Sequence, residues 1–132
     1  MSSSLAVRDL METTYVTLTP EMAITEAVSI LMEQKVSGAP VVDGEGHVLG
    51  LLSEKQCLSS LLAGAYDRTP SGIVSEFMLQ DFVSVAPDMG VFELAELFTK
   101  EVIRRFMVVE DGKLVGQITR RDLLRGIKRY WV

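Results

Sequence analysis

The chain has one cysteine, one histidine and no long apolar run, and each shortage closes off a class of function. With Cys57 alone, no internal disulfide can form, and a reducing cytoplasm is the expected compartment. Cys57 has no histidine near it in sequence and reads as a small core residue rather than a nucleophile. His47 lies in "DGEGHVLG", which has the composition of a solvated hairpin tip. One Cys and one His compose neither a zinc site nor a Cys-His or Ser-His catalytic pair, so no metal ligand and no catalytic residue is assigned. Apolar stretches such as residues 48–52 are far too short to cross a bilayer. The opening "MSSS" lacks the basic and apolar regions of a signal peptide. No membrane association is therefore expected.

Basic charge is also scarce, but only in the first half. The net charge of −5 argues against general affinity for nucleic acid. Up to Ile73 the cations are Arg8, Lys35, Lys55 and Arg68. Beyond it stand Lys100, Arg104, Arg105, Lys113, Arg120, Arg121, Arg125, Lys128 and Arg129. Such a basic half can serve one small anion, or can simply be a solvated helix face. What is present is sufficient for a folded core: 132 residues, 48% of them hydrophobic and 23% charged, amount to about one domain.

The chain repeats itself. Aligning Val7 with Val74 brings Met11 onto Met78, Val16 onto Val83, Pro20 onto Pro87, Met22 onto Met89 and Glu26 onto Glu93. Val41 and Val42 fall on Val108 and Val109, and after a one-residue deletion Gly50 falls on Gly116 and Ser53 on Thr119. Such a duplication predicts repeats at 1–64 and 74–132, joined by a linker at 65–73 rich in Gly, Pro and Ser. Each copy opens with a short helix (7–11; 74–78) and an extended piece ending at a proline. An amphipathic helix follows, with apolar stripes Ile24, Ala27, Val28, Leu31 and Val91, Leu94, Ala95, Phe98 at i, i+3, i+4, i+7. A β-hairpin around Asp/Gly turns comes next, and then a helix starting at Ser53 or Thr119. The fold class is thus α/β of the α+β kind: two tandem β-α-β-β-α repeats. One copy of about 55 residues is marginal alone, so the two are expected to pack with pseudo-two-fold symmetry.

The segments "SGAPVVD", "GHVLGLLS" and "GKLVGQITRRDLL", in this order and duplicated, resemble a cystathionine-β-synthase (CBS) domain pair, or Bateman module, over residues 5 to 128. The resemblance implies a cytoplasmic regulatory module that requires no cofactor. It implies an adenosine-containing ligand (AMP, ADP, ATP or S-adenosylmethionine) in clefts between the repeats. It also implies a homodimer and an unidentified regulated protein. The family's Gly-x-x-Ser/Thr-x-x-Asp pattern is complete at Gly116, Thr119 and Asp122. There a carboxylate can accept from both ribose hydroxyls, and a threonine at a helix start can meet an anion. Arg121 matches a family position turned toward phosphate, with Arg120 a weaker candidate. Carried over, the adenine side falls on Thr17, Val36, Ser37, Gly38 and Ala39, where small residues let a flat ring approach the backbone.

The bland alternative stays open for every one of these positions. "TRRD" and its counterpart "SEKQ" (Ser53 to Gln56) both fit a helix capping box, and Gly38 fits a helix stop residue. A second cleft would use Ser53, Lys55 and Gln56 with Ser84, Ile103, Arg104, Arg105 and Phe106. It lacks the carboxylate, carries bulky arginines opposite Ser37 and Gly38, and has Met107 where copy one has Pro40. It is expected to be weak or empty, with Arg104 and Arg105 in solvent or reaching toward the phosphates of the first site. The chain begins with Met and ends just past the second repeat, so a regulatory module is expected in preference to a fragment of an enzyme. A protein-interaction module with vestigial pockets is the alternative. The tail's Tyr130 and Trp131 suggest a subunit contact.

Overall fold

The computed structural model describes residues 5–64 and 71–130. Most of the expected linker (65–70) and Trp131 of the tail lie outside the described residues. The chain divides into two compact units, Val16–Phe82 and Met1–Tyr15 with Val83–Val132.

In the unit Val16–Phe82, helix α2 (Ile24–Gln34) is followed by strands β1 (Gly38–Val42) and β2 (Val48–Ser53) and helix α3 (Glu54–Ala63). The expected apolar stripe is buried at Ile24, Ala27 and Leu31, with Val28 half-buried. These side chains pack on Leu18, Ala39, Val41, Leu52, Cys57 and Val74. β1 and β2 pair antiparallel with a bulge between Val41 and Val42. Asp43 builds the turn, its Oδ1 accepting the N–H groups of Glu45 and His47, each at 2.9 Å. Helix α2 does not stop at Gly38, as its sequence suggests. Lys35 takes the left-handed conformation (φ 56°), and the Val36 N–H bonds back to the Leu31 carbonyl at 3.1 Å. Left-handed caps usually fall to glycine, but a helix can place another residue there when its last carbonyls gain donors. Gly38 is small for another reason: a Cβ there would sit 3.0 Å from the Leu52 carbonyl oxygen of the paired strand.

The other unit repeats the plan with helix α5 (Val91–Lys100), strands β4 (Arg105–Glu110) and β5 (Lys113–Thr119) and helix α6 (Arg120–Lys128). Its core joins Val85, Val91, Leu94, Phe98, Phe106, Val108, Ile118 and Leu123 with Val7. The β4–β5 bulge falls between Val108 and Val109, the position equivalent to that in β1. Asp111 and Gly112 both have positive φ (55° and 79°), as a two-residue hairpin turn that follows the sheet's twist requires. A short strand β3 (Ser84–Val85) pairs parallel with β4, whereas β1 has a single parallel bridge, Leu18–Val41, in the equivalent place. Pro40 stands in β1 where Met107 stands in β4 and has no N–H to extend that ladder.

The opening helices are exchanged between the sequence repeats. Helix α1 (Val7–Leu10) belongs to the unit of the second hairpin, where the Val7 and Arg8 N–H groups bond to the carbonyls of Met89 and Pro87 at 2.8 and 2.9 Å. Helix α4 (Val74–Phe77) belongs to the unit of the first hairpin. There Val74 and Ser75 bond to Met22 and Pro20 at 2.8 and 2.9 Å. Past each helix the chain lies along a hairpin: Glu12 pairs with Gln117 and Leu79 with Leu51. These approaches explain Gly50 and Gly116. A Cβ on Gly116 would lie 2.6 Å from Met11 Sδ, and one on Gly50 2.7 Å from the Leu79 carbonyl oxygen. The end of the expected linker is likewise held, with Ile73 bridged to Ala23 and the Gly72 carbonyl accepting from the Ile24 N–H.

Leu79 is fixed by two 2.8 Å hydrogen bonds to Leu51, so its carbonyl cannot easily retreat. Gly50→Ala should therefore lower the unfolding free energy by about 1–3 kcal/mol, as overpacking does, measured by urea denaturation. A cost near zero would show that the Leu79 strand gives way.

Candidate functional site

Helix α6 starts where β5 ends, and its first turn carries the sharpest sequence signal. Thr119 is the N-cap. Its Oγ1 accepts the Asp122 N–H at 3.0 Å, and the Thr119 N–H donates to Asp122 Oδ2 at 2.9 Å. The capping box is complete, and only 14% of the Asp122 side chain is exposed. Its other oxygen, Oδ1, meets Arg125 Nη1 at a long 3.5 Å.

The equivalent turn of α3 differs. The Ser53 N–H donates to Gln56 Oε1 at 3.1 Å, and the Ser53 hydroxyl turns to the same oxygen. The amide oxygen is thereby occupied twice, and Gln56 puts no carboxylate at the position of Asp122. Lys55 is exposed beside it.

Around Thr119 the structure gathers four arginines. Arg104, Arg105, Arg120 and Arg121 line one cavity of about 380 Å³ with Thr119 and Leu124. Arg104 and Arg105, assigned from sequence to a second cleft, to solvent or to the phosphate side of the first site, share a cavity with the two arginines of "TRRD". β4 and β5 are paired, Arg105 opposite Thr119, which brings the two arginine pairs to the same end of the hairpin. Burial lowers the Arg105 guanidinium below its usual pKa, while the Asp122 carboxylate acts in the opposite sense. Asp122 itself lines a different cavity of about 260 Å³, together with Asp9, Glu12, Arg125 and Arg129.

The remaining predicted residues divide by exposure. Thr17, Ser37 and Ser84 are exposed, Val36 and Ile103 are half-buried, and Gly38 and Ala39 are buried. The Ser37 carbonyl accepts the first N–H of α3, from Glu54 at 2.9 Å. Phe106 is fully buried against Phe98, ring centroids 4.7 Å apart, so its side chain serves the core. His47 is less free than a solvated tip suggests, with its Nδ1 3.2 Å from Asp43 Oδ2. Hydrogen bonds from the His47 backbone lead the effects that hold the Asp43 carboxyl below its usual range. Sequence reasoning missed an apolar cavity of about 400 Å³ in the first unit, lined by Leu31, Met32, Cys57, Leu58 and Leu61 with Glu54 and Val28. Its signal was the exposed apolar pair Met32 and Leu58, off the core stripe. Burial first, and the charge of Glu54 second, push the Cys57 thiol up, away from the reactive thiolate.

The CBS-domain model matches the chain twice, at residues 7–63 and 74–129. The chain belongs to the CBS-domain family. The CBS domain-containing protein YhcV of Bacillus subtilis is 33% identical over 119 residues, 89% of this chain and 82% of that protein. An A-adding tRNA nucleotidyltransferase of Aquifex aeolicus is 36% identical over 124 residues, 94% of this chain. This chain spans only 14% of that enzyme's length. The crystal structure of CBSX2 of Arabidopsis thaliana in complex with AMP superposes with a TM-score of 0.82 at 27% identity, covering 95% of this chain and 97% of that one. The tandem CBS fold read from the sequence is thereby shown. CBS pairs are typically regulatory rather than catalytic, and in the nucleotidyltransferase the matched pair is a small part of an enzyme. Among the described residues no helix is long and apolar enough to cross a membrane.

The two helix starts differ in a measurable way. Thr119→Ala removes an acceptor in use and should cost about 1 kcal/mol in urea unfolding. Ser53→Ala, whose hydroxyl accepts nothing from the Gln56 N–H, should cost less. Equal costs would mean that the Ser53 hydroxyl turns back to cap in solution.

Proposed function

We propose that this chain is a regulatory CBS pair that binds one adenosine-containing ligand through the start of α6. The observation that carries the reading is that one helix turn sets Thr119 on the cavity lined by four arginines and Asp122, three residues on, at a second cavity. Asp122 Oδ2 is committed to the cap, whereas Oδ1 makes a long contact to Arg125 and has lone pairs that can accept from ribose hydroxyls. The arginines supply a counter-charge for phosphate beside the Thr119 hydroxyl. The AMP complex of CBSX2, a fold neighbour at 27% identity, supports an adenine nucleotide.

In this reading, which rests on the family resemblance, the adenine side falls on Thr17, Val36, Ser37, Gly38 and Ala39. The second set, from Ser53, Lys55 and Gln56 to Ser84, Ile103, Arg104, Arg105 and Phe106, makes no functional site. Gln56 Oε1 is already taken by Ser53, Phe106 is core, and the two arginines serve the first site. No cofactor is needed, because a sensor requires only that its ligand favour one conformation or one partner-bound state over another. The proposal includes a cytoplasmic homodimer, with 1–64 and 74–132 as its two CBS repeats, that signals to an unidentified partner protein.

Isothermal titration of the purified chain with AMP, ADP, ATP and S-adenosylmethionine tests this. Binding of at least one, at one per chain, is expected. Asp122→Ala should weaken it by about tenfold or more, the loss of one or two charge-assisted hydrogen bonds. Thermal unfolding of the variant shows whether it remains folded. No binding to any of the four leaves the capping box as the whole role of Thr119 and Asp122, and the chain becomes a protein-interaction module. Binding indifferent to Asp122→Ala moves the site away from α6.

A further inference from the structure

The apolar groove of the first unit serves neither the core nor the proposed ligand site. It runs between α2 and α3, about 400 Å³ in volume, with Val28, Leu31, Met32, Leu58 and Leu61 as its apolar walls. Met32 and Leu58 are exposed, and so is Leu62, the next residue along α3. Large apolar side chains left in water beside an apolar groove mark a surface that another molecule covers. Among the described residues that line the groove, Glu54 at the start of α3 is the one that carries charge.

The second unit holds the complement of this surface. The alignment that sets Ser53 on Thr119 also sets Glu54 on Arg120 and Leu58 on Leu124. Leu58 is 60% exposed and Leu124 62%, so the same position keeps a leucine in solvent in both repeats. The charge one turn before that leucine is opposite, a carboxylate at Glu54 and a guanidinium at Arg120. The helices around them follow the same division. α2 and α3 carry Glu26, Glu33 and Glu54 against Lys55 alone. α5 and α6 carry Lys100, Arg120, Arg121, Arg125 and Lys128 against Glu93, Glu96 and Asp122. Like charges brought together across an interface oppose it, whereas an acidic face is drawn to a basic one, and this decides which surfaces pair.

We propose that the α2–α3 groove is covered by the start of α6 from a second copy of this chain, with Leu124 entering beside Leu58 and Arg120 meeting Glu54. The contact is heterologous, and two copies that exchange it both ways form a closed dimer. It gives the homodimer of the proposed function a surface and an orientation and rests on that part of the reading; the adenosine ligand plays no part in it. Arg120 and Leu124 also line the arginine cavity, so the test reads association rather than nucleotide affinity.

Sedimentation of the full chain over a range of concentrations should show a monomer–dimer equilibrium. Glu54→Arg, at an exposed position, should raise the dissociation constant by about tenfold or more, and added salt should weaken the native dimer. Thermal unfolding of each variant shows whether it remains folded. The pairing is read with Leu58→Cys and Leu124→Cys chains, both carrying Cys57→Ala to remove the native thiol, treated with a short bismaleimide. A mixture of the two should join position 58 to position 124, and neither chain by itself should join to its own copy. Crosslinks from 58 to 58 or from 124 to 124 overturn the pairing and leave the homodimer of the proposed function standing. A dimer indifferent to Glu54→Arg overturns the charge match and the proposal with it. A monomer at every concentration overturns both the pairing and the homodimer, and leaves the groove to a different protein.

Discussion

Everything in this fold rests on the way each opening helix is tied to a turn far from it in sequence. The first N–H groups of a helix have no partner within it and must find one elsewhere. Here Val7 and Arg8 find theirs on Met89 and Pro87, and Val74 and Ser75 on Met22 and Pro20. Such bonds are each worth about 1 kcal/mol net, but leaving the groups buried and unpaired would cost more. The same segments then lie along the hairpins at Glu12 and Leu79, which forces glycine at 116 and 50. Neither sequence repeat holds its own opening helix, so neither is a complete folding body. The glycine of the family pattern is thus a packing residue, placed so that a distant strand can reach the edge of the hairpin.

The site inherits its geometry from this frame. β5 must end at Thr119 for the register with Arg105 to hold, and α6 must start there because Thr119 and Asp122 satisfy each other's backbone donors. The capping and ligand readings are therefore not rivals at this turn. The cap orients the carboxylate and hydroxyl, and under the proposed function Asp122 Oδ1 and the arginine cavity are the parts a ligand would use. In α3 the same turn spends its amide oxygen on Ser53 and has no carboxylate in the place of Asp122, so the duplication repeats the cap but not the chemistry of α6.

Much of this was legible in the residues. Periodicity placed α2 and α5 and their buried stripes, the Asp-Gly turn placed the second hairpin, and the duplication disclosed the family. The reading failed where a local rule had more than one solution. Gly38 looked like a helix stop, yet Lys35 took the left-handed cap and Gly38 was needed for its approach to Leu52. Phe106 looked like a cleft residue beside the arginines, but strand alternation turned it into the core against Phe98. The apolar cavity around Cys57 left only a faint trace, because it depends on how two helices meet rather than on the pattern of either.

By itself, the sequence determined the elements, their order, the doubling of the plan and the chemistry present at the start of α6, since these depend on periods, caps and turns a few residues long. Only the tertiary structure decided that the opening helices are exchanged and that Arg104 and Arg105 join Arg120 and Arg121 around one cavity. Both are long-range facts: backbone donors seek any satisfied geometry regardless of sequence distance, and strand register sets which side chains share an end of the hairpin.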